Sequence, residues 1–320
     1  MAAGIQERLA AAETTQTRGA IREPNFFIVG AARSGTTSLW HSLRQHPDVF
    51  MPLKQKEPHF FCDASPPWAV KDLDAYLALF ADAKERKAIG EATTGYLGSP
   101  EAAARIAARY PGARIIVMLR DPADRAHSLY RLNCSLGVEW LSTFEKALDE
   151  EDRRVTDDEF KRTNPYFADA YHYFRSGLVA ESIERYLSIF PIDQVHFVLF
   201  DDFRTDPAAA TRRIFTFLDV DPDFQPMTER QNPSAFPLWV RGHYQLTQWW
   251  KHRQARRQGQ PGDRVDDCCA IAWHVNLYLG TGSPRASLSA STRARLGKRY
   301  ADDVRATALL IGRNLDAWAA

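Results

Sequence analysis

The stretch Asn25-Phe-Phe-Ile-Val29-Gly30-Ala-Ala-Arg33-Ser34-Gly35-Thr36-Thr37-Ser38 decides the fold. Its first five residues form an apolar run bounded by Pro24 and Gly30, which suits a buried strand, and Thr36 to Gln45 follows as a helix. Strand, glycine-containing loop and helix make the layout in which backbone N–H groups and a helix N-terminus cradle an anion. The spacing fits the phosphate-loop pattern G-x-x-x-x-G-K-[ST] except that Thr36 occupies the lysine position. A nucleoside-triphosphatase uses that lysine on the β- and γ-phosphates, so its loss removes a charge on which phosphoryl transfer depends. Arg33 within the turn and hydroxyls on Ser34, Thr36, Thr37 and Ser38, with Gly30 and Gly35 permitting close backbone approach, suit one compact anionic group better. The plainer alternative is a loop that only turns a strand into a helix; the cation and the four hydroxyls weigh against it.

Outward from this stretch, strands and helices alternate. Arg114 to Leu119 is the clearest buried strand and runs into Arg120-Asp-Pro122, with Pro122 suited to the first turn of a helix reaching about Arg131. Further strands are predicted at Ala88 to Ala92 and Val195 to Phe200, and helices at 71–81, 101–110, 177–190 and 207–218. This rhythm predicts an α/β fold with a parallel β-sheet flanked by helices on both faces, ligands sitting at the carboxyl ends of the strands. From Gln231 to Gly282 the periodicity fades, and residues 231–285 are expected to form a lid on the acceptor side. Ser291 to Trp318 reads as a long final helix interrupted near Gly312. With no repeat or linker, residues 1–24 are expected to be a flexible segment and 25–320 a single domain.

Composition narrows the function. The 320 residues carry 41 Lys+Arg against 40 Asp+Glu, so no global field draws the chain to nucleic acid or an anionic membrane, and any basic site must be local. No apolar run approaches the roughly 18 residues of a membrane span, and the first residues lack the apolar core of a secretory signal. Cys62, Cys134, Cys268 and Cys269 lack Cys-x-x-Cys spacing, so the expectation is free thiols in a reducing, cytoplasmic setting and no metal site. Arg241 to Arg257 holds Trp249, Trp250, Lys251, Arg253, Arg256 and Arg257 without an acid; the expectation is a solvated helix face with core tryptophans.

A second anion site is predicted at Arg120-Asp121-Pro122-Ala-Asp-Arg125-Ala-His-Ser128-Leu-Tyr130. Arg120 stands at a strand's carboxyl end, and Arg125 and Ser128, three apart on a helix, share a face. Alternatively Arg120 pairs with Asp121 or Asp124. Two anion sites at neighbouring strand ends describe a ligand with two separated anionic groups. In these residues the chain resembles the sulfotransferases that use 3′-phosphoadenosine-5′-phosphosulfate (PAPS). Arg33-Ser-Gly-Thr-Thr-Ser38 is similar to that family's 5′-phosphosulfate loop, and Arg120 to Tyr130 to its 3′-phosphate motif, with Arg120 and Ser128 as contacts. Looser similarity runs from about Asn25 to Asp221 and on to Asn232-x-Ser234, nearest the bacterial and glycan-type branch.

The resemblance implies a P-loop-like sulfotransferase fold, a PAPS donor released as adenosine 3′,5′-bisphosphate (PAP), no required metal, and a small-molecule, natural-product or glycan acceptor. In Lys54-Gln-Lys56-Glu57-Pro58-His59-Phe60-Phe61 it implies Glu57 as general base, with His59 as the runner-up. A carboxylate with an ordinary pKa near 4.3 is ionised at neutral pH yet too weak to deprotonate a free alcohol beforehand, so proton transfer accompanies attack. Lys54, Lys56 and Arg33 would hold the developing negative charge. Arginine cannot readily give up its proton, so Arg33 is expected to act electrostatically only. The sequence departs from the family where Cys62 displaces the Asp that often follows Phe-Phe, leaving Asp63 one place later, and Gly280-Thr-Gly282 with Arg285 is the stand-in for a loop over the 3′-phosphate. Trp68, Tyr96, Trp140, Trp239 and Tyr244 are candidates for an aromatic acceptor pocket, or for core. The competing readings are a magnesium-dependent kinase or nucleoside-triphosphatase and a catalytically silent nucleotide-binding module.

Overall fold

The computed structural model describes residues 22–63, 66–164, 168–227, 235–256, 264–280 and 287–319. Five strands, β1 (Phe26–Gly30), β2 (Val49–Phe50), β3 (Ala88–Ala92), β4 (Arg114–Leu119) and β5 (Val195–Leu199), form one sheet in the order β2-β3-β1-β4-β5. Every pairing is parallel, as the alternation of strands and helices required. Successive strand side chains point to opposite faces, and both faces are covered. Phe27, Val29, Ile115 and Val117 enter one core, while Phe26, Ile28, Ile116 and Met118 enter the other.

The order places β1 between β3 and β4, where chain connections leave toward opposite sides of the sheet; this switch point opens a crevice at the strands' carboxyl ends. Two helices begin there: α1 (Thr36–Leu43) after β1 and, after α2 (Leu73–Ala78) and α3 (Ala102–Arg109), α4 (Pro122–Ser135) after β4. Helix α4 starts as its sequence dictates, with Pro122 in its first turn and the Asp121 carboxylate accepting from Asp124 N at 2.9 Å.

Several elements had no readable pattern. Residues 139–164 hold three helices of six residues each, α5 (Phe144–Asp149), α6 (Glu151–Thr156) and α7 (Asp158–Thr163), too short to show a helical period. They gather round a buried pair in which Arg154 Nη1 and Nη2 donate to Glu139 at 2.7 and 3.0 Å, with the guanidinium against the Trp140 and Tyr171 rings. Next come α8 (Ala180–Ile189), α9 (Phe200–Thr205) and α10 (Pro207–Phe217). The stretch whose periodicity faded contains two 17-residue helices, α11 (Val240–Arg256) and α12 (Arg264–Gly280); α11 is anchored at the end of α4 by His243 Nε2 beside Ser135 O (3.0 Å) and just past it by Gln248 Nε2 donating to Gly137 O (3.0 Å), and α12 meets α11 where Trp273 Nε1 donates to Thr247 Oγ1 (3.1 Å). Their pattern is blurred because apolar residues also occupy outward positions. Trp249 and Trp250 are 47% and 37% exposed, so they are not the core tryptophans expected, and Ile271 and Tyr278 also face outward. Helix α13 (Ala290–Ile311) ends at Gly312, in the left-handed conformation (φ 65°), where the sequence predicts an interruption, and only a short 3-10 turn at Asp316–Trp318 follows in place of a helix running to Trp318. The Asn232-x-Ser234 stretch, Thr281, Gly282 and Arg285 lie outside the described residues.

Candidate active site

Four loops meet at the sheet's carboxyl edge. The first, between β1 and α1, is the glycine loop. Gly35 precedes α1 with φ 91° and Arg33 has φ 68°. No side chain caps α1 and no acid sits in its first turn, so its leading N–H groups and the positive end of its dipole face the loop's concavity. Gly35 is required for space as well, since a Cβ there would lie 2.8 Å from the Phe200 ring. Gly35→Ala should therefore cost roughly 1–2 kcal/mol of stability from left-handed backbone strain alone. Because that ring also packs 4.6 Å from the Arg120 guanidinium, the variant should lose anion affinity too; denaturant unfolding and a PAP titration measure both. Ser34 is fully buried with its Oγ lacking a partner among the described residues, an orphaned donor in the loop. Thr36 is buried, while Thr37 and Ser38 are half-buried.

The second loop, after β4, brings its motif directly against the first. Arg33 Nε donates to Ser128 Oγ (3.1 Å), and Arg120 Nη1 donates to the Arg33 carbonyl (3.2 Å). The alternative pairing of Arg120 with its neighbouring acids is not what forms: Arg293 of α13 takes both, Asp121 at 3.2 Å and Asp124 by a shorter contact. Burial, followed by repulsion from Arg120, Arg131 and Arg125, lowers the Arg33 pKa, and burial also lowers that of Arg120. A half-buried cluster of arginines that repel one another favours an anion between them. Arg125 departs from its expected face: it is buried and donates to Tyr173 O (2.6 Å), apart from the Ser128 contact.

The third loop follows β2 and carries Glu57. Lys56 Nζ donates to Glu57 Oε1 at 2.9 Å and His59 Nε2 lies 3.6 Å from Oε2. From the fourth loop, after β3, Thr94 Oγ1 donates to Oε2 at 3.2 Å. Burial pushes the Glu57 carboxyl up, but interactions with His59 and then Lys56 outweigh it and bring its pKa down to about 2. Lys54, by contrast, is exposed. Asp63 is bound to Arg105 (2.7 Å) and Cys62 is buried, its thiol pushed up to about 11 mainly by burial. The same turn links Glu57 and the glycine loop, because the Thr94 carbonyl would be 3.1 Å from a Cβ on Gly30.

The aromatic candidates separate. Tyr96 is fully buried below the site, and Trp140, which packs on the Arg154 guanidinium, meets the Tyr244 ring at 5.5 Å. Trp68 and Trp239 are exposed. They are not one pocket. Sequence reading passed over Thr94 and Glu91, the latter fully buried in β3; a glutamate inside an apolar five-residue strand was the available signal. All four cysteines are free, and among the described residues no helix is long and apolar enough to cross a membrane, nor is there a group of three or more metal-ligating side chains.

Comparison with known proteins shows likenesses to sulfotransferases. A solved sulfotransferase structure from Alicyclobacillus acidocaldarius superimposes with a TM-score of 0.70 at 30% identity, covering 93% of this chain and all of that one. The human heparan sulfate glucosamine 3-O-sulfotransferase 3B1 is 32% identical over 205 residues, 62% of this chain and 47% of its own length. The membrane-associated sulfotransferase kil1 of Dictyostelium discoideum is 21% identical over 273 residues, 62% of this chain and 56% of its own. The chain thus spans about half the length of the curated relatives it matches. Residues 23–263 match the sulfotransferase domain family, a range that takes in all four loops of the carboxyl edge, and the chain belongs to that family.

Proposed function

We propose that the site transfers a sulfuryl group from PAPS to a hydroxyl, or less favourably an amine, of a small-molecule, natural-product or glycan acceptor, with Glu57 as general base. The observation that carries this reading is the convergence of Arg33, Arg120 and Ser128 into one cluster at the carboxyl edge, tied through Thr94 to Glu57. The residues fit the donor: the uncapped N-terminus of α1 with Ser34, Gly35, Thr36, Thr37 and Ser38 suits its 5′-phosphosulfate, and Arg120 with Ser128 its 3′-phosphate. When bound, PAPS supplies an activated sulfuryl group. Glu57 accepts the acceptor's proton as its oxygen attacks sulfur. Held at about 2, it is ionised at neutral pH but a weak base, so proton transfer belongs to the attack itself. Lys56, already on Glu57, and Arg33 offset negative charge on the transferred group and the leaving oxygen; the Arg33 contact with Ser128 suits electrostatic work and not proton donation. His59 is the alternative base. Residues 25–320 act as one domain, and the free thiols support a cytoplasmic setting.

Thermal shift separates this from its rivals. PAP without metal should raise Tm by a few degrees, by mass action on the folded state. Stabilisation by ATP–Mg alone would instead favour the kinase reading. PAP binding without turnover of PAPS would favour a silent module.

A further inference from the structure

Beneath the candidate base lies a carboxylate that the proposed reaction does not use. Glu91 of β3 is fully buried, and three hydroxyls converge on it: Tyr76 and Tyr96 donate to Oε1, each at 2.9 Å, and Thr93 donates to Oε2 at 3.1 Å. No cation is paired with it among the described residues. A buried carboxylate without a counter-charge is costly, and apolar side chains would fill the same space. What distinguishes this one is where its donors lead.

The Tyr76 ring stacks on Phe60 at 4.3 Å and meets Phe61 edge-on at 5.6 Å. The Tyr96 hydroxyl accepts from Phe61 N at 3.4 Å. Both tyrosines therefore hold the segment that carries Glu57 and His59, which has no regular secondary structure of its own. Thr93 and Tyr96 also bracket the turn after β3, whose Thr94 donates to Glu57 and whose Gly95 lies against the His59 ring, a Cβ there being 3.4 Å from it. On the far side this turn is tied to β1 by Thr93 N donating to Ile28 O (3.1 Å) and Leu97 N to Val29 O (2.8 Å), next to the glycine loop.

We propose that Glu91 is a positioning residue for catalysis: its carboxylate, gripping Tyr76, Thr93 and Tyr96 together, sets the register between the glycine loop and the Glu57–His59 segment. This rests on the reading of that segment as carrying the base. Three donors on two oxygens suit the ionised form. Once protonated, Glu91 must itself donate, and one hydroxyl loses its acceptor. Burial, opposed by the Tyr76, Tyr96 and Thr93 hydroxyls and aided by the Glu57 charge, pushes the Glu91 carboxyl up to about 7. The other groups facing it titrate elsewhere: Tyr76 and Tyr96 lie well above the ordinary tyrosine value, as does Tyr186 of α8, all chiefly through burial; Cys62 is at about 11 and Glu57 at about 2. His59 reaches the cluster through Gly95.

The test is steady-state kinetics of Glu91→Gln and Tyr96→Phe with PAPS and a turned-over acceptor, alongside PAP titration. The expected result is kcat down tenfold or more in both, since a displacement of about 1 Å can cost 10²-fold, with PAP affinity and the KM for PAPS within twofold of wild type. Wild-type kcat should rise with pH through about 7; the inflection should vanish in Glu91→Gln and survive, at whatever amplitude, in His59→Gln. If Glu91→Gln does not fold, Tyr96→Phe, which removes one oxygen from an intact ring, decides alone. Wild-type kcat in the folded variants, or PAP affinity lost in proportion to kcat, overturns the assignment. Glu57→Gln separates the two readings: a normal rate there removes the base and leaves the Glu91 effect to be read on His59, whereas a large loss there with normal Glu91→Gln and Tyr96→Phe sinks this inference alone.

Discussion

Replacing Glu57 by Gln should lower turnover by about 10²-fold or more, the usual contribution of a positioned general base, while PAP binds nearly as before. The substitution keeps the shape and leaves Thr94 and Lys56 an oxygen to donate to, so the segment should stay in place; what disappears is the proton acceptor. The pH dependence sharpens the expectation. The Glu57 pKa is depressed from 4.5 to about 2, so the carboxylate form is favoured and protonation sets in only as pH falls toward that value. Measured in the Glu91→Gln background, where the inflection near pH 7 is absent, the deficit caused by Glu57→Gln should therefore be the same at pH 5.5 and at pH 8. A deficit that shrinks on the acid side would assign the proton to a group titrating near neutrality, and unchanged turnover would remove Glu57 from the reaction.

Arg120→Ala should weaken PAP by about 1.5–3 kcal/mol, the range for a hydrogen bond to a charged group, which is roughly 10- to 150-fold in Kd. Two features place the loss in binding and not in folding. Arg120 makes no ion pair with its neighbours Asp121 and Asp124, which Arg293 occupies, so its removal strands no buried acid. Among the described residues its guanidinium donates to the Arg33 carbonyl at 3.2 Å, a link within the site itself. Isothermal titration with PAP measures the change, and equal affinity in the variant would move the 3′-phosphate elsewhere.

The sheet and the two loops that carry Arg33 and Arg120 were legible because each is local. Apolar runs of five or six residues, Gly35 before α1 and Pro122 at the start of α4 are signals written within a few positions of the element they specify. That Arg33 and Ser128, 95 positions apart, share a hydrogen bond follows from parallel pairing of β1 with β4, so once the strands were assigned the contact was implied. Other features depend on partners distant in sequence. Arg125 and Ser128 share a helix face by spacing, yet the carbonyl of Tyr173 draws Arg125 inward, and no local pattern announces that. Strand β2, two residues long, and the six-residue helices round Arg154 lack the length to show a period. Glu91 reads as an oddity in a strand until Tyr76, Thr93 and Tyr96 are brought to it, and Tyr76 comes from another element altogether.

The most direct measurement is transfer itself: incubation with PAPS labelled on the sulfuryl group, without added metal, together with extracts of the protein's own source as acceptors. The account predicts a labelled hydroxyl-bearing product formed in equal amount with PAP, and loss of both in Glu57→Gln. PAP bound tightly with no label transferred to any acceptor, or group transfer from ATP–Mg in place of PAPS, would contradict it.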